Sequence, residues 1–252
     1  MRIHFFEEFP HKRNLEKLRM VTWPAIVYIA AENLPNFYKI IKPYHQMRIT
    51  FGYWPILKKE EGYWLSPFSK KKAIKRIILE IGKQHKIPLI MWDAELPLRH
   101  PWLFFRLDFF FTNRPHIKRF FKNYGPFIAT SEYPLKSRVT GFFLRCLGVS
   151  FSPQKYGNKK IVMYYSSMHY GINSLLLKNI KKLHEQHGKN LMVGLGTIAH
   201  GILKWEPILY PDDLRKDLLQ MKKLGIEEVV IFRLGGLNKE YVKVLKEFVD
   251  DK

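Results

Sequence analysis

At 252 residues the chain has the length of one domain, and 46% hydrophobic with 26% charged residues is ordinary globular composition, which excludes a disordered or fibrous protein. The single cysteine, Cys146, excludes a disulfide framework and any multi-cysteine metal cluster. No apolar run approaches the roughly 18 to 20 residues of a membrane span and the amino terminus carries no leader pattern, so a cytoplasmic protein is the expectation. Lys and Arg number 43 against 22 Asp and Glu, a formal net charge of +21 that favours nucleic acid, an anionic membrane surface or phosphorylated ligands as partners. The solvated, Lys-rich surface of a heat-adapted (thermophilic) protein gives the same balance.

Short β-branched or apolar runs recur at 2–6, 25–30, 47–52, 88–92, 127–131, 160–165, 191–195 and 228–233, each followed by turn residues. Between them lie stretches with apolar residues at helical spacing: Ser69 to Lys83, Asn173 to His187, Asp212 to Leu224 and Asn238 to Val249. Ser69, Pro211-Asp212 and Asn238 suit helix starts, and Gly82, Gly188 and Gly225 suit stops. Strands alternating with helices eight times predict a single-domain (β/α)8 TIM barrel over residues 1–252, since an open doubly wound sheet usually stops sooner. Residues 53–68 after strand three and 98–124 after strand four are long and aromatic, and are read as loops covering an active site.

Barrel enzymes place their sites at the carboxyl ends of the strands. There the sequence repeats one pattern, an acid followed two residues later by proline: Glu8-Phe9-Pro10, Glu95-Leu96-Pro97 and Glu132-Tyr133-Pro134. With Glu7, Glu32 and Asp93, six of the 22 acids fall at strand ends. Tyr53-Trp54-Pro55, Tyr63-Trp64, Trp92 and Tyr164-Tyr165-Ser166-Ser167 add flat rings and hydroxyls, which suit sugar faces, although Trp92 and Tyr164 suit the core equally. Two carboxylates beside a glycosidic bond divide the acid and the nucleophile or base roles. Asp93 and Glu95 share a strand face, so the charge of Asp93 favours a protonated Glu95 that donates. Glu132 or Glu8 is then the second carboxylate, and Tyr53, Trp54, Tyr165, Glu32, His200 and Arg233 are the candidate substrate contacts.

The segment Asp93-Ala94-Glu95-Leu96-Pro97 resembles the end of strand four in family-18 chitinases, D-x-E-x-P, and Met163-Tyr164-Tyr165 resembles that family's M-x-Y on strand six. The resemblance implies that Glu95 is a proton donor, that Asp93 orients a substrate acetamido group which attacks the anomeric carbon, and that Tyr165 hydrogen-bonds the acetamido. Pro88 and Met91 stand where the family has two earlier aspartates, Ser166 where it has Asp or Asn, and no glutamate ends strand seven.

Other readings rest on other residues. Gly194 and Gly196 on strand seven, and Arg233 with Gly235 and Gly236 after strand eight, match the usual barrel phosphate site, in which glycine amides and an arginine hold the anion. His169 and His200 fall on different strands without metal-ligand spacing, and nucleotide loops and the serine nucleophile elbow are absent, so neither a metal nor a cofactor is expected. The run Pro101 to Phe111, followed by Arg114, His116, Lys118, Arg119 and Lys122, together with Arg138, Phe142, Phe143 and Arg145, pairs aromatics with cations as membrane-surface segments do. The leading expectation is therefore a carbohydrate-active barrel or a relative that has lost activity. The rivals are an enzyme for a phosphorylated small molecule and a non-catalytic basic barrel that binds membrane or nucleic acid.

Overall fold

The computed structural model describes every residue except 45–47, 87, 99, 134–136, 169–170, 202–203 and 250–252. Its parallel strands are hydrogen-bonded in chain order and close on themselves, β8 pairing with β1, which makes the fold a (β/α)8 barrel. The strands are β1 (Arg2–Glu7), β2 (Ala25–Ala31), β3 (Ile49–Pro55), β4 (Leu89–Asp93), β5 (Ile128–Glu132), β6 (Lys159–Met163), β7 (Leu191–Gly196) and β8 (Glu228–Phe232). The helices are α1 (Lys12–Leu15), α2 (Leu34–Ile41), α3 (Lys71–Gly82), α4 (Leu107–Tyr124), α5 (Arg138–Cys146), α6 (Pro153–Tyr156), α7 (Asn173–His187), α8 (Pro211–Lys223) and α9 (Lys239–Lys246). Each strand expected from the sequence overlaps its counterpart. The third departs most, because pairing continues through Gly52 and Tyr53, opposite Leu89 and Ile90, to Pro55; residue 47 lies outside the described residues.

The chain divides into two compact units. The first comprises Met1–Ile29, Ile41–Phe51 and Ile161–Lys252. Here β1 and β7 flank β8 in register, Ile3 opposite Val229 and Val193 opposite the same residue, all three fully buried. Helix α7 buries Leu176, Ile180 and Leu183, and α9 buries Tyr241, Val244 and Leu245, the three-and-four spacing of a helix with one face inward. Asn238 caps α9 as its position suggests, its side-chain oxygen accepting from the amides of Glu240 and Tyr241.

The buried stripe of α8 contains a carboxylate, Asp217, beside Leu214, Leu218 and Met221. Burial, offset in part by the Ser166 hydroxyl that donates to it at 2.6 Å, pushes its pKa up to about 6. The folded chain thus holds the Asp217 proton more tightly than the unfolded chain, and burial of the charge costs stability as pH rises through the window from 3.8 to about 6. Asp217→Asn keeps an acceptor for Ser166 and removes that cost. It is expected to be more stable than the parent by on the order of 2 kcal/mol at about pH 8, with the gap closing near pH 4, in denaturant melts at both pH values.

The second unit comprises Ala30–Ile40 and Gly52–Lys160. Strand β4 pairs with β5 so that Trp92 lies opposite Thr130 and Asp93 opposite Ser131. Trp92 is fully buried against Phe120 and Phe121 of α4, and Phe121 stacks on Phe151 with centroids 3.8 Å apart. It fills the core, and by alternation Asp93 takes the opposite face of the strand. The segment after β3 is packed and does not stand open as a lid. Leu57, Trp64, Leu65 and Phe68 are buried, and Asn113 of α4 donates to the carbonyls of Pro67 and Ser69 at 2.9 and 2.7 Å. The segment after β4 is only partly a loop, since Leu107–Tyr124 is helix α4.

Candidate active site

In the first unit β1 ends on Glu7, with Glu8 the next residue. The carboxylate of Glu7 is fully buried and accepts from the amides of Phe9 (2.8 Å) and Gly235 (2.6 Å), from Asn14 Nδ2 (3.2 Å) and from Arg233 Nη1 (3.0 Å). Burial raises its pKa, and the Arg233 guanidinium opposes that rise. This arrangement corrects the phosphate-site reading. The arginine and the Gly235 amide expected to hold an external anion already hold Glu7, and Arg233 is further fixed by the His200 carbonyl at 2.9 Å and by the Phe9 ring beneath it. The remaining glycines serve close packing: a Cβ on Gly236 would run into the Ile198 carbonyl, and Gly196, at φ +131°, lies against the Phe232 carbonyl. Gly194 is the exception, since a Cβ there would make only ordinary contact with the Met163 backbone.

Glu8 is also buried, and a second carboxylate stands near it that the sequence reading passed over. A Cβ built on Gly201 would lie 2.9 Å from Glu8 Oε2 and 2.8 Å from Glu206 Oε1, so the two acids flank one glycine. The β7–α8 loop carries Glu206 back because the Pro207 carbonyl accepts from Thr197 Oγ1 (2.5 Å) and Ser167 Oγ (3.1 Å). The signal was present in Glu206-Pro207, another acid before proline, but it lies ten residues past the strand. Tyr165, partly buried, packs on Phe232 with centroids 5.9 Å apart, and His200 is exposed; His169 and Pro134 lie outside the described residues.

In the second unit Asp93 is buried at the end of β4 and Glu95 is half-buried just beyond it. The turn that aims them is held by the Asp93 carbonyl, which accepts from the amides of Glu95 and Leu65, and by the Ser131 carbonyl, which accepts from Ala94. Tyr133, following β5, places its hydroxyl against the Leu96 amide at 3.1 Å. Burial, then the Glu95 charge and after it that of Asp93, raise the pKa of this phenol. Asp93, Glu95 and Tyr133 thus form one electrostatic cluster at the carboxyl ends of two adjacent strands, with Glu95 open to solvent on one side.

Glu132 does not join it, which corrects its assignment as a second carboxylate. Thr130 lies opposite Trp92, and Glu132, two residues on, shares that face, which looks to the helix layer. There it is buried and occupied by Lys160 Nζ at 2.5 Å, Thr130 Oγ1 at 2.8 Å and the Phe151 amide at 3.0 Å. Tyr53 is likewise a core residue and not a sugar contact: its ring packs on Phe37 of α2, and burial, followed by the charge of Glu80 on α3, raises its pKa. Trp54, its neighbour on the strand, is buried and takes the opposite face. Glu32 is exposed one residue past β2.

No family model matches the chain, and no curated protein matches it closely enough to count as a relative. Solved structures do match. The spore cortex-lytic enzyme SleL of Bacillus cereus superposes with a TM-score of 0.62 over 99% of this chain and 74% of its own, at 10% identity. The C-terminal domain of a putative chitinase from Desulfitobacterium hafniense DCB-2 gives 0.60 over 98% and 97%, at 9% identity. A chitinase from Chromobacterium violaceum ATCC 12472 gives 0.60 over 100% and 99%, at 8% identity. At such identities the likeness is one of fold, a (β/α)8 barrel. The family-18 resemblance at Asp93–Pro97 is compatible with this fold, which the two chitinase structures share.

Proposed function

We propose that this protein acts on carbohydrate, with Glu95 as proton donor and Asp93 as the residue that orients the reacting group. The supporting observation is the cluster of Asp93, Glu95 and Tyr133 at the carboxyl ends of β4 and β5, in which the one half-buried acid is the one that must reach substrate. Glu95 passes its proton to the glycosidic oxygen as the bond to the anomeric carbon breaks. Water then adds to that carbon and returns a proton to Glu95. Asp93, buried at the end of β4, holds the acetamido group that the family resemblance implies, and the Tyr133 hydroxyl braces the same turn through the Leu96 amide. A phosphorylated substrate is the weaker reading, because Glu7 occupies the groups that would bind it.

The test is release of reducing ends from a panel of β-linked glycans with and without N-acetyl groups. Release from N-acetylated chains is expected, and no release from any member of the panel counts against the proposal. Glu8→Gln and Glu206→Gln run beside Glu95→Gln separate the two acidic clusters, since only the last should lose turnover.

A further inference from the structure

Nine of the large apolar side chains that the fold leaves exposed fall between residues 98 and 143, and eight of them lie on two segments: Leu98, Trp102, Phe105, Leu107 and Phe111 around the start of α4, and Val139, Phe142 and Phe143 on α5. Trp102 and Phe105, 75% and 76% exposed, are the most exposed large apolar side chains among the described residues. Ring contacts run along each of the two segments. Trp102 packs on Phe105, Phe110 on Phe111 and Phe142 on Phe143, while the buried ring of Phe68 contacts both Phe104 and Phe110.

Residues of α4, α5 and α6 enclose a cavity of about 230 Å3, with the exposed Phe142 in its wall. Arg114, Lys118, Arg145 and Lys155 line it beside Phe142, and among the described residues no carboxylate does. Burial first, and then the like charges of Arg114 and Lys155, lower the Lys118 pKa. Arg114 Nε is buried without a hydrogen-bond partner among the described residues. Arg106, by contrast, is already paired with Asp108 at 2.8 and 2.9 Å.

We propose that this face of the second unit binds the surface of an anionic phospholipid bilayer, the exposed aromatics entering the interface and the α4–α5 cavity taking a headgroup phosphate. Charge complementarity selects this occupant. Cations without acids, bordered by exposed Trp and Phe, match the phosphate layer and the acyl boundary beneath it, and the net charge of +21 draws the whole chain to such a surface. No helix among the described residues is long and apolar enough to cross a membrane, so the contact is peripheral. None of these residues belongs to the proposed catalytic cluster, so the inference stands apart from the carbohydrate reading.

Sedimentation of the full chain with vesicles of phosphatidylcholine alone, or mixed with phosphatidylglycerol, tests it. Pelleting with the mixed vesicles at low salt is expected, with release as salt rises. Phe142→Ser/Phe143→Ser should weaken partition at least about tenfold, since the insertion is apolar. Lys118→Gln/Arg145→Gln should weaken it about thirtyfold. Equal pelleting with both lipids, no pelleting, or variants that bind like the parent would overturn the proposal. So would binding of duplex DNA in place of vesicles. Unchanged circular dichroism and melting temperature in both double variants exclude misfolding as the cause of a loss.

Discussion

Lys160→Met is expected to destabilise the protein by about 3 to 5 kcal/mol, the largest single effect on stability we anticipate. Lys160 and Glu132 are 5% and 2% exposed, their charges 2.5 Å apart in the layer between barrel and helices. Methionine matches the length and volume of the lysine stem, so packing is nearly kept and the loss isolates the charge. What remains is a carboxylate held by Thr130 and the Phe151 amide with no cation beside it. A melting temperature lower by roughly 10 °C is the expected reading for a chain of this size. Lys160→Met combined with Glu132→Gln should recover most of the loss, because a neutral pair carries no uncompensated buried charge. Failure of the double variant to recover would mean that Lys160 acts through packing.

Glu95→Gln is expected to lower turnover by about 10²- to 10⁴-fold, the usual worth of a positioned general acid, while leaving the melting temperature unchanged. The amide has the shape of the acid and lacks the proton. Glu95 is half-buried and outside the packed core, so folding has little stake in it. Tyr133→Phe separates positioning from chemistry. Loss of the hydroxyl removes the acceptor for the Leu96 amide and changes the polar surroundings of Glu95, so the basic limb of the pH–rate profile, where Glu95 loses its proton, should move while some turnover survives. A profile that does not move would leave Tyr133 a purely structural residue.

The barrel was legible in the sequence because its signals are local. Runs such as Leu191–Gly196 and Glu228–Phe232 are short, apolar and bounded by turn residues, and the α7 boundaries Asn173 and His187 follow from periodicity and a glycine stop. Strand-end acids were equally visible, but which of them stay available was not. The fate of Glu132 is decided by a one-residue alternation and by Lys160 on the next strand, that of Glu7 by Arg233, 226 positions away in the chain. Tyr53 and Trp54 look alike as a pair, yet strand alternation sends them to opposite faces. Glu206 was missed because its approach to Glu8 depends on the path of a long loop that no local pattern encodes.

The central claim, that the β4-end cluster receives a sugar, is tested most directly by crystals of the Glu95→Gln protein soaked with an N-acetylglucosamine oligomer. A sugar ring is expected within hydrogen-bond distance of position 95, with its acetamido group toward Asp93 and Tyr133. An oligomer bound with no contact to these residues, or no bound sugar at concentrations that saturate known chitinases, would contradict it.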